Sequence, residues 1–266
     1  MRLYRLVALW YALVGFASAI PAPRGSHFKP KSIISGPTEP GTFETFQAAA
    51  AERALLLLKN HLGREGIFQL LKPDIEESNA FWHSALAKSP PGAWVPSTAR
   101  VIVKGPGLTA ASFAAWFGGD TGDADKLLRA EPEHYFEAVT ADPVTGALVA
   151  DILEAWGGRL TYFKIPEYGA PDRVAYPFLP ALPDFPQQFS GGGTLQDGSG
   201  AVFMVVHNSW KDTADGKGVE AILSVWLPGA TPVEVVEALR QHQAVEFTNW
   251  LSNAQSDIAS GKFKAP

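Results

Sequence analysis

A long amphipathic helix that closes the chain, directly after two pairs of β-runs, is the feature that most constrains the fold. Its start is marked by Thr231-Pro232-Val233-Glu234, which offers an N-cap residue, a proline at the first helical position and a glutamate at the capping-box position. We predict that this helix extends to about Ala259. At a helical period its apolar face collects Val235, Val236, Leu239, Phe247, Trp250 and Leu251. Such a face has to be buried, and the preceding strands offer a sheet.

Helical patterns and β-patterns follow one another in a definite order along the rest of the chain. The predicted helices cover residues 41–62, 64–88 with Pro73 breaking the middle, 110–117 capped by Thr109, and 123–136. The predicted strands cover residues 100–104, 146–156, 160–165, 201–210 and 219–227. Gly157-Gly158 is predicted to join a hairpin, Gly191-Gly192-Gly193 to form a turn, and the Pro-rich segment 166–186 to form a loop.

This order predicts an α+β fold, in which a curved antiparallel sheet wraps a long C-terminal helix after a helical N-terminal section. The corresponding domains are residues 41–92 and 93–266. The order resembles the helix-grip fold of START and polyketide-cyclase-like proteins over about 160 residues, by topology. A cone-shaped sheet of the ketosteroid-isomerase kind is the competing resemblance, with the helices of residues 41–88 as its opening elements. Both resemblances imply a small-molecule pocket, and both kinds of protein recur in fungal natural-product pathways.

The N-terminus has the parts of a cleavable signal peptide, predicted to be residues 1–19. Two arginines open an apolar run that ends at Phe16, and Ala17-Ser18-Ala19 is a small-x-small cleavage site. The run is shorter than the roughly 20 apolar residues that span a bilayer, so we expect no transmembrane segment after cleavage. Residues 20–40 are predicted to be an extended lead-in. The chain is therefore expected in the secretory pathway, either secreted or in the lumen of the ER or a vesicle.

Composition excludes several classes of partner and chemistry. The net charge is −5 without a cluster of Lys and Arg, which argues against nucleic acid as a partner. The chain has no cysteine, so a zinc–thiolate site and a cysteine nucleophile are both impossible. Motifs for hydrolases, zincins and nucleotide binding are missing, and neither a cofactor nor a metal site is predicted. With 8 Trp and 16 Phe, an aromatic-lined cavity for a hydrophobic molecule is expected, while the oligomeric state stays open.

His242 and Glu246 on the closing helix are the first candidate catalytic residues. They are four residues apart at the edge of the apolar face, where an imidazole beside a carboxylate can move protons. The alternative is an ordinary exposed pair on a solvated helix flank.

His207 is the second candidate for acid–base catalysis. A period of two places it on one strand face with Phe203, either pointing into a cavity or sitting at the sheet rim. If the closing helix packs across this strand, His207 and His242 would approach each other. Together with a carboxylate they would suit a metal ion, but no compact motif supports that interpretation.

Glu154 is the third candidate, because one of two carboxylates on its strand has to be buried. Glu154 shares a strand face with Trp156, and Asp151 lies on the other face. Burial among aromatic rings would raise the pKa of the carboxyl group and suit it to acid–base work. His134, by contrast, is placed near the end of a predicted helix, where we expect a structural role first.

Three functional hypotheses follow from these candidates. The first is a cofactor-independent enzyme, a cyclase, dehydratase or isomerase, that acts on a hydrophobic small molecule of secondary metabolism. Its predicted substrate-binding residues are Trp156, Tyr162, Phe203 and Trp250. The second is a secreted protein that binds a lipid or another hydrophobic ligand without catalysis. The third is a secreted interaction protein whose aromatic residues are simply core.

Overall fold

One antiparallel sheet contains all the strands in the part of the chain that the structure describes. The structure is a computed structural model and describes residues 42–118 and 128–264. The strands are β1 (Trp94–Lys104), β2 (His134–Ala141), β3 (Leu148–Trp156), β4 (Arg159–Ile165), β5 (Gln187–Leu195), β6 (Val202–Asp212) and β7 (Gly218–Pro228). Their order in the sheet is β1-β7-β6-β5-β4-β3-β2, so β1 and β2 form the edges.

The described helices are α1 (Phe43–Leu70), α2 (Lys72–Lys88), α3 (Ala110–Gly118) and α4 (Val233–Ala259). α1 bends at Gly63, which has a left-handed φ of 59°. Pro73 lies in the first turn of α2, where the helix does not need its missing N–H group. Thr109 and Ser112 cap α3 reciprocally, each backbone N–H donating to the other's hydroxyl at 2.8 and 3.0 Å. The predicted α+β fold with a long C-terminal helix is thereby confirmed.

Residues 52–266 make up one compact unit, and residues 42–51, which open α1, belong to an N-terminal one. The predicted signal peptide and lead-in lie outside the described residues. Within the described ranges, no helix combines the length and the apolar character needed to cross a membrane. The division into domains at residues 92 and 93 stays a prediction.

Two strands lie where the sequence predicts something else. The glycines predicted to form a turn lie in β5 instead. Gly191 is needed there because a Cβ at this position would lie 2.4 Å from a methyl of Ile165 and 2.6 Å from the carbonyl oxygen of Glu167. β2 includes the end of the predicted helix 123–136, so His134 begins a strand. Residues 123–127 of that predicted helix lie outside the described residues. β1 is longer than predicted and accommodates Pro96 because it is an edge strand.

α4 packs across one face of the sheet, here called the cavity face, with contacts to β1, β7 and β3. Its predicted apolar face is confirmed by the burial of Leu239, Phe247, Trp250 and Leu251. The predicted N-cap at Thr231 is wrong: Pro232 occupies the N-cap position, and the Thr231 hydroxyl is buried without a hydrogen-bond partner. Two apolar clusters form between α4 and the sheet, one around Trp210 and Phe113 and the other around Trp156 and Phe163.

The opposite face of the sheet, called the outer face, is covered by two different segments. The end of α1 and the start of α2 pack on β3 and β4 through Ile67, Ile75, Leu153 and Leu160. Segment 166–186, predicted to be a loop, reaches β5 and β7 instead. Arg173 donates a 3.0 Å hydrogen bond to Gln188, and the ring of Phe178 lies 5.2 Å from that of Trp226.

Candidate functional site

A cavity of about 150 Å³ lies between the two apolar clusters, under α4. Most of its wall is apolar, with side chains that include Leu148, Ile152, Phe163, Val206, Phe247 and Trp250. Apolar cavities of this size accept a molecule about as large as benzene. A few polar groups in such a wall are typical of a small-molecule site, and here four of them are carboxyl or imidazole groups: Glu137, Glu154, His242 and Glu246.

Two histidines and two glutamates meet at this wall: His134, Glu154, His242 and Glu246, here called the His–Glu cluster. His134 Nε2 lies 3.3 Å from Glu154 Oε2, 3.5 Å from Glu246 Oε1 and 3.3 Å from His242 Nε2. His242 Nε2 is also 3.7 Å from Glu154 Oε2. All four residues are buried, so four donor atoms converge where little water reaches them.

Three elements bring the cluster together. His134, the first residue of β2, is the register partner of Glu154 on β3. His242 and Glu246 lie one turn apart on α4, which contacts β3. A register shift directly after His134 marks a β-bulge, which lets His134 and Glu137 reach the same side of β2 although they are three residues apart.

Two further carboxylates face the imidazoles of the cluster from behind. Glu137 Oε2 lies 3.3 Å from His134 Nδ1, and Glu133 Oε2 lies 3.6 Å from His242 Nδ1. Each imidazole therefore has a carboxylate behind the nitrogen that points away from the cluster. This arrangement orients an imidazole ring and raises its basicity.

Hydrogen bonds from two further residues stabilise the same region. The indole N–H of Trp156 donates to Glu154 Oε1 at 2.8 Å, which leaves Oε2 to face the two imidazoles. The ammonium group of Lys59 on α1 donates to the backbone carbonyls of Pro132, at 2.7 Å, and His134. Lys59 thus anchors the segment that leads into β2 to α1, and Trp156 fixes the carboxylate of Glu154 on β3.

The two histidines of the cluster favour their protonated form. Burial lowers the pKa of His134, but its hydrogen bond to Glu154 and the charge of Glu137 outweigh this and raise the pKa to about 9. Burial lowers the pKa of His242 too, but the charge of Glu154 and the carboxylate of Glu133, which faces its Nδ1, raise that pKa well above the ordinary value.

The carboxyl groups of the site divide into two kinds. Burial raises the pKa of Glu246 to about 8 and that of Glu137 to about 7, and the imidazoles offset only part of the effect. Burial on its own would raise the pKa of Glu154 too, but the charge of His242 and the hydrogen bonds that both imidazoles donate lower that pKa below the ordinary value. The expectation of a raised pKa for Glu154 is therefore wrong, because two imidazoles face this carboxylate.

Five of the eight residues predicted for the site line the cavity: Glu154, Trp156, His242, Glu246 and Trp250. The structure also decides between the two carboxylates of β3. Glu154 faces the cavity, and Asp151 lies on the outer face. His242 and Glu246 are buried rather than forming an exposed pair.

His207 lies on the outer face and does not meet His242. Its neighbours Val206 and Asn208 line the cavity, so strand alternation turns His207 away from it. There its Nε2 lies 3.2 Å from Gln188 Oε1 and 3.3 Å from the Ser209 hydroxyl.

Tyr162 and Phe203, predicted to bind substrate, are also outside the set of residues that line the cavity. Tyr162 points to the outer face, where its ring meets that of Phe68 edge-on at 4.7 Å. Phe203 is the unpaired residue at a register shift between β5 and β6, and the ring of Trp82, 4.8 Å away, packs against it. Phe203 is therefore a core residue, and Tyr162 is a partly buried residue packed against the cluster on the outer face.

His134 and Glu137 are the site residues that the sequence does not predict in this role. The segment His134–Ala141 holds two aromatic and two β-branched residues, a composition that favours a strand. The predicted helix 123–136 includes His134, so the sequence does not predict that His134 pairs with Glu154. Among the described residues, Glu131 and Glu133 also lie close enough to His242 for the three side chains to hold a metal ion.

Comparison with known proteins gives similarity in structure only. No protein-family model matches the chain, and no curated protein is significantly similar to it. The structure of Ara h 8.0201 is 15% identical, with a TM-score of 0.39, over 61% of this chain and 99% of that one. Major latex-like protein 151 from Panax ginseng is 11% identical, with a TM-score of 0.35, over 64% of this chain and 99% of that one. The two sequence identities and the two TM-scores are too low for these similarities to carry an argument about function.

Proposed function

We propose that the protein binds an apolar small molecule, or the apolar part of one, in the cavity and acts on it at the His–Glu cluster. The observation that carries this proposal is the position of the cluster in the wall of a mostly apolar cavity. Burying several ionisable groups costs free energy, and sites that retain such groups in a cleft are more often functional than the rest of the interior.

The reaction class that suits these side chains is proton transfer, as in a cyclisation, a dehydration or an isomerisation. Glu154, His242 and Glu246 line the cavity and would face the bound molecule. Imidazole and carboxylate groups within 4 Å of each other can give and take a proton at neighbouring atoms. His134 is fully buried behind them and is a positioning residue.

The size of the cavity defines the class of substrate. A group of about the size of benzene fits, such as a small aromatic ring or a short branched hydrocarbon. A role in secondary metabolism and delivery through the secretory pathway are part of the same proposal. They rest on the resemblance to helix-grip proteins and on the N-terminal sequence.

Binding without catalysis is the second candidate function, and the apolar character of most of the wall favours it. Native mass spectrometry of the protein purified from its host tests both functions. We expect a co-purified apolar molecule, which the wild type converts and His242→Gln binds without converting. Conversion by neither protein would leave the binding function. If no molecule co-purifies and toluene, as an apolar probe, does not change the fluorescence of Trp156 and Trp250, both functions are excluded.

A further inference from the structure

We infer that the His–Glu cluster binds one divalent transition-metal ion of the Zn²⁺ type. The ligand atoms are His134 Nε2, His242 Nε2, Glu154 Oε2 and Glu246 Oε1. A bound ion goes beyond the proposed function, which needs only the apolar cavity and the side chains of the cluster.

The spacing of the donor atoms is that of a tetrahedral metal site. Bonds of about 2.0–2.1 Å to a central ion place the ligands of a tetrahedron roughly 3.3–3.4 Å apart. Around His134 Nε2 the observed separations are 3.3, 3.3 and 3.5 Å, and His242 Nε2 is 3.7 Å from Glu154 Oε2. Direct hydrogen bonds between charged groups would be shorter, at about 2.7–2.9 Å. Four of the six separations are thus near the tetrahedral value, and all four atoms lie within 4.8 Å of one another.

The types of donor select the class of ion. Two imidazole nitrogens and two carboxylate oxygens suit zinc and its neighbours among the transition metals. Magnesium and calcium prefer oxygen ligands throughout, so two imidazoles make them poor occupants.

The groups behind the ligands support the same assignment. Glu137 and Glu133 face the Nδ1 atoms of His134 and His242, at 3.3 and 3.6 Å. Metal-binding histidines have such a partner almost always, because it fixes the tautomer that directs Nε2 at the ion. Trp156 similarly orients Glu154 through its other carboxylate oxygen.

Charge also favours an ion at this point. Histidines that bind a metal are neutral, and the two carboxylates that face them, Glu154 and Glu246, are ionised when they bind an ion. A dication offsets the charges of both at the place where their oxygens converge. The group of Glu131, Glu133 and His242 offers only one imidazole, and we assign it to the support of His242.

Three of the four ligands line the cavity, so an ion held by them would be next to a molecule bound there. In that state His242 and Glu246 hold the ion and no longer carry protons themselves. Metal binding and binding of the apolar molecule are measured separately, so failure of one does not imply failure of the other.

The test is a titration of the metal-free full chain with Zn²⁺ in competition with a chromophoric chelator. We expect one ion per chain and a loss of affinity of at least 100-fold in His242→Gln and in Glu246→Gln. Glu133→Gln should lose about 10- to 100-fold, as expected for a supporting group. His83→Gln is the matched control, because His83 is an exposed histidine bound to Asp197 far along the chain from every ligand.

Co²⁺ as a second probe keeps the inference testable if a variant does not fold. Bound to the wild type, it should show the intense visible absorption of a four-coordinate site, and circular dichroism reports folding of each variant. Equal Zn²⁺ affinity of wild type and His242→Gln, or the weak spectrum of six-coordinate Co²⁺, would overturn the inference. If the chain binds toluene but not Zn²⁺, the metal site is rejected and the proposed function stands. If it binds Zn²⁺ but not toluene, only the proposed function is rejected.

Discussion

His207 and His242 are both buried, with 1% and 4% of their surface exposed, yet the two sides of the sheet give them opposite properties. On the cavity face, carboxylates raise the pKa of His242 well above its ordinary value. On the outer face, burial and then the charge of Arg173 lower the pKa of His207 to about 4. Burial alone therefore does not decide the pKa of a histidine in this protein. Carboxylates face His242, whereas His207 faces an amide and a hydroxyl.

The same contrast holds for two carboxylates of β3. Glu154 faces two imidazoles on the cavity face, whereas Asp151 lies on the outer face, 3.9 Å from Arg64 and 3.7 Å from Lys164. Pairs of substitutions, one on each face, test whether the difference between the faces is energetic as well as geometric.

The largest difference is expected between Glu154→Gln and Asp151→Asn. With metal chelated, loss of the Glu154 charge leaves two buried imidazoles without their shared carboxylate, which should cost about 3–5 kcal/mol of unfolding free energy. Asp151→Asn breaks partly exposed ion pairs and should cost less than about 1 kcal/mol. Urea unfolding at neutral pH measures both, and equal losses would contradict the contrast between the two faces.

The next effect concerns the aromatic residues Trp156 and Tyr162. Trp156→Phe removes the N–H group that donates to Glu154, and we expect a loss of about 1.5–3 kcal/mol in stability. Tyr162→Phe removes only a hydroxyl on the outer face and should change stability by less than about 1 kcal/mol. Thermal unfolding of the two variants provides the comparison. A greater loss in Tyr162→Phe would show that the outer face contributes more than we infer.

Filling the cavity should weaken ligand binding without a matching effect on the other face. Ala150 lines the cavity and Val149 points away from it, so the two variants Ala150→Phe and Val149→Phe add bulk on opposite sides of β3. We expect toluene to bind Ala150→Phe at least about 10-fold more weakly, about 1.4 kcal/mol, and Val149→Phe as it binds the wild type. Unchanged binding in Ala150→Phe would place the ligand elsewhere.

The smallest effect is expected for His207→Gln at neutral pH, about 1 kcal/mol or less, with Zn²⁺ affinity unchanged. Its pH dependence is the sharper measurement. Because the folded pKa of His207, about 4, is below the unfolded value, the unfolded chain binds more protons between these values. Wild-type stability from this group is therefore complete above about pH 6.5 and is lost as the pH falls toward 4. In His207→Gln this part of the pH dependence should disappear, and an unchanged slope would contradict the lowered pKa.

Much of the fold follows from local patterns in the sequence. The closing helix, the cap at Thr109 and the hairpin at Gly157-Gly158 depend on residues close together in the chain, and all three occur as predicted. Strands β2 and β5 were harder to predict. In β5, Gly191 leaves room for Ile165 of β4 and for Glu167 of the following loop, and such a contact is visible only in three dimensions.

The site shows the same division. Helical periodicity places His242 and Glu246 together at the edge of the apolar face of one helix, and strand alternation leaves Glu154 and Asp151 as alternatives. Tertiary structure decided which face of β3 points inward, because α4 covers only one side of the sheet. It also brought in His134, 108 residues from His242, through strand pairing and a β-bulge. Periodicity places side chains on a face, whereas distances between donor atoms of separate elements arise only when those faces pack together.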